Sequence, residues 1–279
     1  MLSRLRRALV DHDFRRATAA VLAVVVGLAA SGCGGNESAA GPAFESATPG
    51  VLKVATAFLP APGFWQGRQG TDGFEAGLAR ALAQHLGLRR VEVVQVPFGA
   101  ITRGRLGGAD IALSQLTPTK ERERSVDFST AYLAAPPAVL ASKAVEASDV
   151  KGLRALRWVV SSLSTLTPIV MDRIRPTRPP VVAADRSQAL RVLRSGRADA
   201  LMLDLPVALG LARSDARLRV LGQIDGEEEL AAALPDGSPN VEIVDSAIRA
   251  LQADGTIAGL ASHWLGKSEN DVPLILTER

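Results

Sequence analysis

The chain has 279 residues, 47% hydrophobic, 22% charged and 4% aromatic, a globular balance that excludes disordered, collagen-like and polytopic membrane proteins. Its formal charge of +3 is all in residues 1–33, where five arginines face two aspartates; the rest carries 27 basic and 27 acidic groups. A neutral body with few aromatics excludes nucleic acid as a partner, because binding it requires a basic face.

Residues 1–33 read as an export leader. Arg4, Arg6, Arg7, Arg15 and Arg16 precede a 14-residue run, 17–30, of Ala, Val, Leu, Gly and one Thr. That run is too short to span a bilayer but has the length of a signal-peptide core. It ends in Ala30-Ser31-Gly32-Cys33, with the only cysteine of the chain. A lone cysteine forms no intramolecular disulfide, which leaves a buried thiol or a modification site. The segment resembles a bacterial lipobox, with Ala30 where Leu is more usual, and implies lipid on Cys33. Residues 34–50, rich in Gly, Ser, Ala and Pro, read as a flexible tether.

The body alternates strands and helices. Residues 52–56 read as a strand, and 72–86 as a helix with Phe74, Leu78, Leu82 and Leu86 on one face. Strands follow at 91–96 and 109–114, with a helix at 99–106 between them. After 138–141 the pattern resumes: a strand at 158–161, a helix starting near Ser164, a strand at 181–183, a helix at 187–194, a strand at 200–203 and a helix at 205–213. Two helices, 241–254 and 256–264, follow. Such alternation predicts α/β architecture with mainly parallel sheets flanked by helices. A faint echo, Arg105-Leu106-Gly107-Gly108-Ala109-Asp110 against Arg194-Ser195-Gly196-Arg197-Ala198-Asp199, suggests two lobes, or else two ordinary helix-to-strand turns.

Open α/β sheets bind ligands beyond the carboxyl ends of their strands. Here those ends are Ser114-Gln115-Leu116-Thr117 and Leu203-Asp204. Beyond the first, Thr119 is placed to cap a short helix that carries Arg122, and hydroxyls, free N–H groups and a guanidinium together form a carboxylate receptor. Read alone, the same segment is also a solvated charged helix. Asp204, one residue from Leu205-Pro206, is either an N-cap or an acceptor for a ligand ammonium.

Four motifs now combine. Thr71-Asp72-Gly73-Phe74-Glu75-Ala76-Gly77-Leu78 follows a strand. Thr119-Lys120-Glu121-Arg122 precedes Val126-Asp127-Phe128-Ser129 and Tyr132. Ala198-Asp199-Ala200-Leu201-Met202-Leu203-Asp204 comes later, and Leu251-Gln252-Ala253-Asp254-Gly255-Thr256 with His263-Trp264-Leu265-Gly266 ends the pattern. In order and spacing the segment from Leu52 to Gly266 resembles the extracytoplasmic solute-binding proteins of ABC importers, polar amino-acid family. The resemblance implies a two-lobed periplasmic-binding-protein-like fold of type II, hinged, with residues 51–136 plus 227–279 as lobe 1 and 137–226 as lobe 2. It implies that Arg122 grips a ligand α-carboxylate, helped by Thr117, the backbone of Gln115, Ser164 and Thr165. Asp204 would hold the α-ammonium and Phe98 lie over the ligand. A zwitterion bridged by Arg and Asp from opposite lobes favours closure. The implied partners are an amino-acid ligand and an ABC permease, for a monomer anchored by lipid to the outer face of the cell membrane.

Leu163 stands where the family usually has glycine, and the segment 58–65 lacks an acid found in cation-selective relatives. Glu227-Glu228-Glu229 near the return hinge reads as a solvated rim or an attraction for cations. Phe98, Ser161 and Leu203 carry no charge, which points to a neutral or modestly polar ligand side chain. His12, His85 and His263 have no metal-ligand spacing, and no cofactor motif occurs, so neither metal nor cofactor is expected. Trp158 and Trp264 read as core. Two alternatives stay open: a dehydratase-like enzyme acting on a small carboxylate, for which Asp204 is the only acid placed in the cleft, and a ligand-sensing surface lipoprotein.

Overall fold

The computed structural model describes residues 43–67, 70–266 and 272–276. The expected leader, Cys33 and most of the tether lie outside the described residues. Among these, eleven strands form two sheets. The first contains β1 (Val51–Thr56), β2 (Arg90–Gln95), β3 (Ile111–Leu116), β4 (Val126–Ala134) and β10 (Glu229–Pro235), in the order β2-β1-β3-β10-β4. The second contains β5 (Pro137–Ser142), β6 (Trp158–Ser161), β7 (Val181–Ala183), β8 (Ala200–Asp204), β9 (Leu218–Ile224) and β11 (Leu274–Ile275), in the order β11-β9-β5-β8-β6-β7.

Each sheet is parallel except for one strand. β10 runs antiparallel to β3 and β4, and β5 antiparallel to β8 and β9. In both cases the reversed strand is the one by which the chain arrives from the other sheet, across 135–136 and across 225–228. The end of the chain departs from expectation. The resemblance places residues 227–279 in the first lobe, yet Leu274 and Ile275 pair with Gln223 and Ile224 of β9 in the second sheet. Ile275 is buried there against Gly222, where an added Cβ would lie 2.7 Å from its Cδ1.

α1 (Phe74–His85) buries Phe74, Leu78 and Leu82 as the periodicity predicts. It begins at Gly73, whose φ of +111° and whose place against the Phe64 carbonyl oxygen, 2.3 Å from where a Cβ would sit, leave room for no side chain. This tight entry drives Glu75 inward. α2 (Phe98–Ile101) is a single turn where a helix to residue 106 was expected, because the chain turns left-handed at Gly104 under the Ser125 carbonyl. α3 (Val150–Ala155) is capped by Asp149. The helix expected near Ser164 instead begins as turns tied to Ser161 and Ser164, followed by a wide helical segment Ile169–Ile174. α4 (Arg186–Arg194), α5 (Leu205–Ser214), α6 (Val241–Ala253) and α7 (Thr256–Trp264) match their expected positions.

The sequence echo has a structural meaning. Asp110 accepts the backbone N–H of Lys53 in β1 at 2.7 Å, and Asp199 accepts that of Arg157, just ahead of β6, at 2.9 Å. In each sheet an aspartate opening one strand ties down its parallel neighbour. A continuous apolar cluster links the halves, running from Leu52, Phe64 and Phe74 to Leu140, Leu205 and Leu211. Trp158 is buried in a second cluster, with its indole N–H on the Leu153 carbonyl at 2.8 Å. No helix among the described residues is long and apolar enough to cross a membrane.

Candidate ligand-binding site

Parallel strands all deliver their carboxyl ends to the same side of a sheet, and the two sheets bring those ends together. Between them lies a cavity of about 60 Å³, the room of a few water molecules. Its walls include all seven predicted binding residues: Phe98, Gln115, Thr117, Arg122, Ser164, Thr165 and Asp204. Leu59, Leu163 and Leu203 supply apolar surface beside them.

Arg122 opens a short 3₁₀ turn, Arg122–Arg124, whose N-cap is Glu121 and not Thr119 as expected; the Arg122 N–H still donates to the Thr119 hydroxyl at 3.2 Å. Its guanidinium donates to the carbonyl of Thr117 at 2.8 Å and, across the cleft, to that of Leu163 at 3.2 Å. It also lies 5.4 Å from the centroid of the Phe98 ring, a cation–π contact. Both oxygen partners are neutral carbonyls, and no carboxylate among the described residues comes within 4.0 Å of it. Burial pulls its pKa down, while Asp204, Glu228 and Glu121 push it back.

Asp204 sits at the N-cap of α5 but its side chain makes no capping bond. The carboxylate, 8% exposed, instead faces Arg186, whose Nη2 is 3.5 Å from Oδ2. Burial raises its pKa, opposed by Arg186 and then Arg122. A side-chain cap on α5 is thereby excluded.

Arg186, absent from the expected site, heads α4 after Asp185, which caps the helix by accepting the Gln188 N–H at 2.7 Å. Its Nη1 donates to Gln115 Oε1 at 3.0 Å across the cleft. Gln115 in turn donates its Nε2 to Glu75 Oε2 at 2.7 Å and its backbone N–H to Glu75 Oε1 at 2.8 Å. Tyr132 adds its hydroxyl to the same Oε1 at 2.6 Å. Glu75 is fully buried and its pKa is raised by that burial, against the bonds from Tyr132 and Gln115. A relay therefore runs Tyr132, Glu75, Gln115, Arg186, Asp204.

The relay corrects one expectation. The resemblance gives the backbone of Gln115 to a ligand carboxylate, but its N–H donates to Glu75 at 2.8 Å instead, because a buried carboxylate requires donors. Gln115 adopts a left-handed backbone, φ +48°, to present both its N–H and its side-chain amide to that one carboxylate. The solvated-rim reading of Glu228 is also overturned. Glu228 is half-buried and accepts the Thr165 hydroxyl at 3.5 Å. Burial raises its pKa, as does the charge of Asp204. Of the remaining predicted residues, Ser164 accepts the Leu166 N–H at 3.2 Å. No group of three potential metal ligands occurs among the described residues.

Glu75 was visible in the Gly73-Phe74-Glu75 motif but was read only as helix. Arg186 gave no signal, since it stands among other arginines on an amphipathic helix.

The family model of the bacterial extracellular solute-binding proteins, family 3, matches residues 52–267. The chain belongs to this family. A similar protein is the L-cystine-binding protein TcyJ of Escherichia coli, 28% identical over 233 residues that cover 78% of this chain and 83% of that protein. Among solved structures, an ancestral arginine-binding protein bound to glutamine is 28% identical with a TM-score of 0.67, covering 79% of this chain and all of its own. An ancestral amino acid-binding protein described as a precursor of cyclohexadienyl dehydratase is 28% identical with a TM-score of 0.65, covering 77% and 95%. These neighbours share the two-lobed type II architecture. Membership in family 3 makes this a binding protein of an extracellular class and bears out the resemblance read from the four motifs.

Proposed function

We propose that this family 3 protein captures a free amino acid between its two lobes and delivers it to the permease of an ABC importer. Lobe 1 comprises 51–136 and 227–266, and lobe 2 comprises 137–226 with the terminal strand. The observation that carries the reading is the pairing of opposite charges across one cavity. Arg122 has neutral carbonyl partners and projects from the first lobe, while Asp204 ends a strand of the second. A zwitterion matches both, its carboxylate taken by the guanidinium fork and its ammonium by Asp204. Thr117 and Thr165 line the cavity beside the ligand, and Phe98 packs over the ligand backbone. The relatives support the class, being named for cystine, glutamine and arginine. Lipid on Cys33 would hold the monomer at the outer face of the membrane, and the protein performs no reaction of its own.

A thermal-shift screen of the purified full chain against the twenty amino acids tests this. Ligand at about 100 times its Kd adds about 2.7 kcal/mol, a rise of roughly 5–10 °C for a chain of this size. The rise must vanish in both Arg122→Ala and Asp204→Ala; a shift that survives Asp204→Ala refutes the zwitterion geometry.

Glu228 favours a second reading, a dehydratase acting on a small cyclic carboxylate. It is a half-buried acid in the cleft whose pKa burial raises, elimination of water needs a proton donor, and one structural neighbour is described as a dehydratase precursor. Turnover of a cyclic hydroxy-carboxylate, lost in Glu228→Gln, would establish it.

A further inference from the structure

We infer that Arg186 reads the side chain of the bound amino acid, admitting one that ends in a carbonyl or carboxylate oxygen and turning away one that ends in a cation. The inference rests on the amino-acid reading above and names the class of ligand.

Arg186 lines the same cavity as Arg122 and Asp204, and its side chain is only 13% exposed. Helix stability does not explain it. It is the first residue of α4, where the positive end of the helix dipole disfavours a cation, and burial disfavours it again. What holds it is the cleft itself, through Gln115 Oε1 at 3.0 Å and Asp204 Oδ2 at 3.5 Å.

Gln115 cannot yield to make way. Its Nε2 is committed to Glu75, so its carbonyl end is the one that faces Arg186. A guanidinium has five N–H donors and no acceptor. Among the described residues only Gln115 and Asp204 contact this one, which leaves donors for an incoming oxygen. Arg122 would be spent on the α-carboxylate, and Asp204 would share its charge between the α-ammonium and Arg186. A second cation on the ligand would meet Arg186 with no carboxylate uncommitted. Asp185 caps α4, and Glu228 accepts the Thr165 hydroxyl at 3.5 Å. Leu59, Phe98, Leu163 and Leu203 supply apolar wall for a methylene stem. The charge-free pocket positions had pointed to a neutral side chain; Arg186 adds a demand for an oxygen at its end.

The test is calorimetric titration of the purified full chain with glutamine, glutamate, leucine, lysine and arginine, repeated on Arg186→Gln and Arg186→Lys. In the parent protein glutamine or glutamate binds at least tenfold tighter than leucine and at least a hundredfold tighter than lysine or arginine. The preferred one of the two tells an amide from a carboxylate. Arg186→Gln narrows the gap to lysine and arginine at least tenfold. Arg186→Lys keeps the charge, so it still rejects cations while losing part of the preference for oxygen. Should Arg186→Gln fail to fold with Asp204 unpartnered, that lysine variant decides. Lysine or arginine binding the parent within threefold of glutamine and glutamate overturns the inference, as does a ranking unmoved by either variant, and both leave amino-acid capture standing. Silence of the parent toward all five overturns this inference, and silence across the twenty amino acids of the thermal-shift screen overturns the amino-acid reading with it.

Discussion

Replacing Glu75 by glutamine changes one atom at the foot of the relay and should be felt at the cleft. The carboxylate receives two donors on Oε1, from the Gln115 backbone and Tyr132, and one on Oε2, from Gln115 Nε2. An amide has one accepting end and one donating end. Its oxygen takes the side with two donors, and its NH₂ is then left against Gln115 Nε2. Gln115 relieves this by turning its amide over, which puts an NH₂ 3.0 Å from the Arg186 guanidinium where an oxygen had been. The loss is one hydrogen bond to a charged group, roughly 1.5–3 kcal/mol. Because that bond joins residues of the two lobes, it exists only with the cleft shut. The cost therefore falls on ligand affinity, as a weakening of about 10- to 100-fold. Ligand-free stability should move by about 1 kcal/mol or less, since removing a buried charge recovers desolvation energy that offsets the lost bonds. Titration calorimetry with the tightest-binding amino acid, alongside thermal unfolding, separates the two effects. Adding Gln115→Glu restores an acceptor toward Arg186 and should recover most of the affinity. An affinity of Glu75→Gln within threefold of the parent would refute the relay.

Three further outcomes follow from the same structure. Asp110→Ala removes two 2.7 Å bonds from the N–H groups of Ala47 and Lys53; it should lower stability by about 2–4 kcal/mol in thermal unfolding while leaving ligand affinity unchanged. Thr56 is fully buried at the end of β1 and its hydroxyl has no partner, so Thr56→Val should raise stability by about 1 kcal/mol, read as a higher Tm. Asp204 has its pKa raised above 3.8, first by burial. The folded state therefore binds its proton more tightly, and this group's effect on stability is to increase it as pH falls through the raised pKa. The same protonation removes the acceptor for the ammonium, so affinity should decline over a pH range in which the melting temperature does not. Below 3.8 the sign reverses for stability, because Asp199, held low by its bond from Arg157, loses that bond on protonation. Affinity and Tm measured on the same pH series check both.

Much of this fold was legible because its units carry clear periods. The alternation 52–56, 72–86, 91–96 needed only apolar spacing, and Gly-Ala-Asp and Arg-Ala-Asp marked the turns into β3 and β8. The reversed strand β10 was not legible. Its run Leu230-Ala231-Ala232-Ala233-Leu234 is buried throughout, and a continuous Ala/Leu run has no period of two and a composition that favours helix. β11 is two residues long and owes its place to the exposed edge of β9, which is tertiary information.

The site divides along the same line. Arg122, Thr117 and Asp204 are adjacent to strand ends, so locating the strands located them. Glu75 and Arg186 act through residues distant in sequence: Glu75 through Gln115, 40 positions away, and Arg186 through Gln115, 71 positions away. Nothing local distinguishes Glu75 from other acids in a first helical turn. Its role follows from the glycine before Phe74, which lets α1 start so close to the Phe64 carbonyl that the side chain after Phe74 has only the core to enter. Once a carboxylate is inside, it must be supplied with donors. The residues that supply them, Tyr132 and Gln115, lose the freedom to do anything else. Gln115 is thereby fixed with its oxygen toward the other lobe, and Arg186 is the group that meets it. The selectivity proposed for the cleft is thus set partly by a helix start far from the ligand in sequence, and for that reason a conservative change at Glu75 should alter binding before it alters folding.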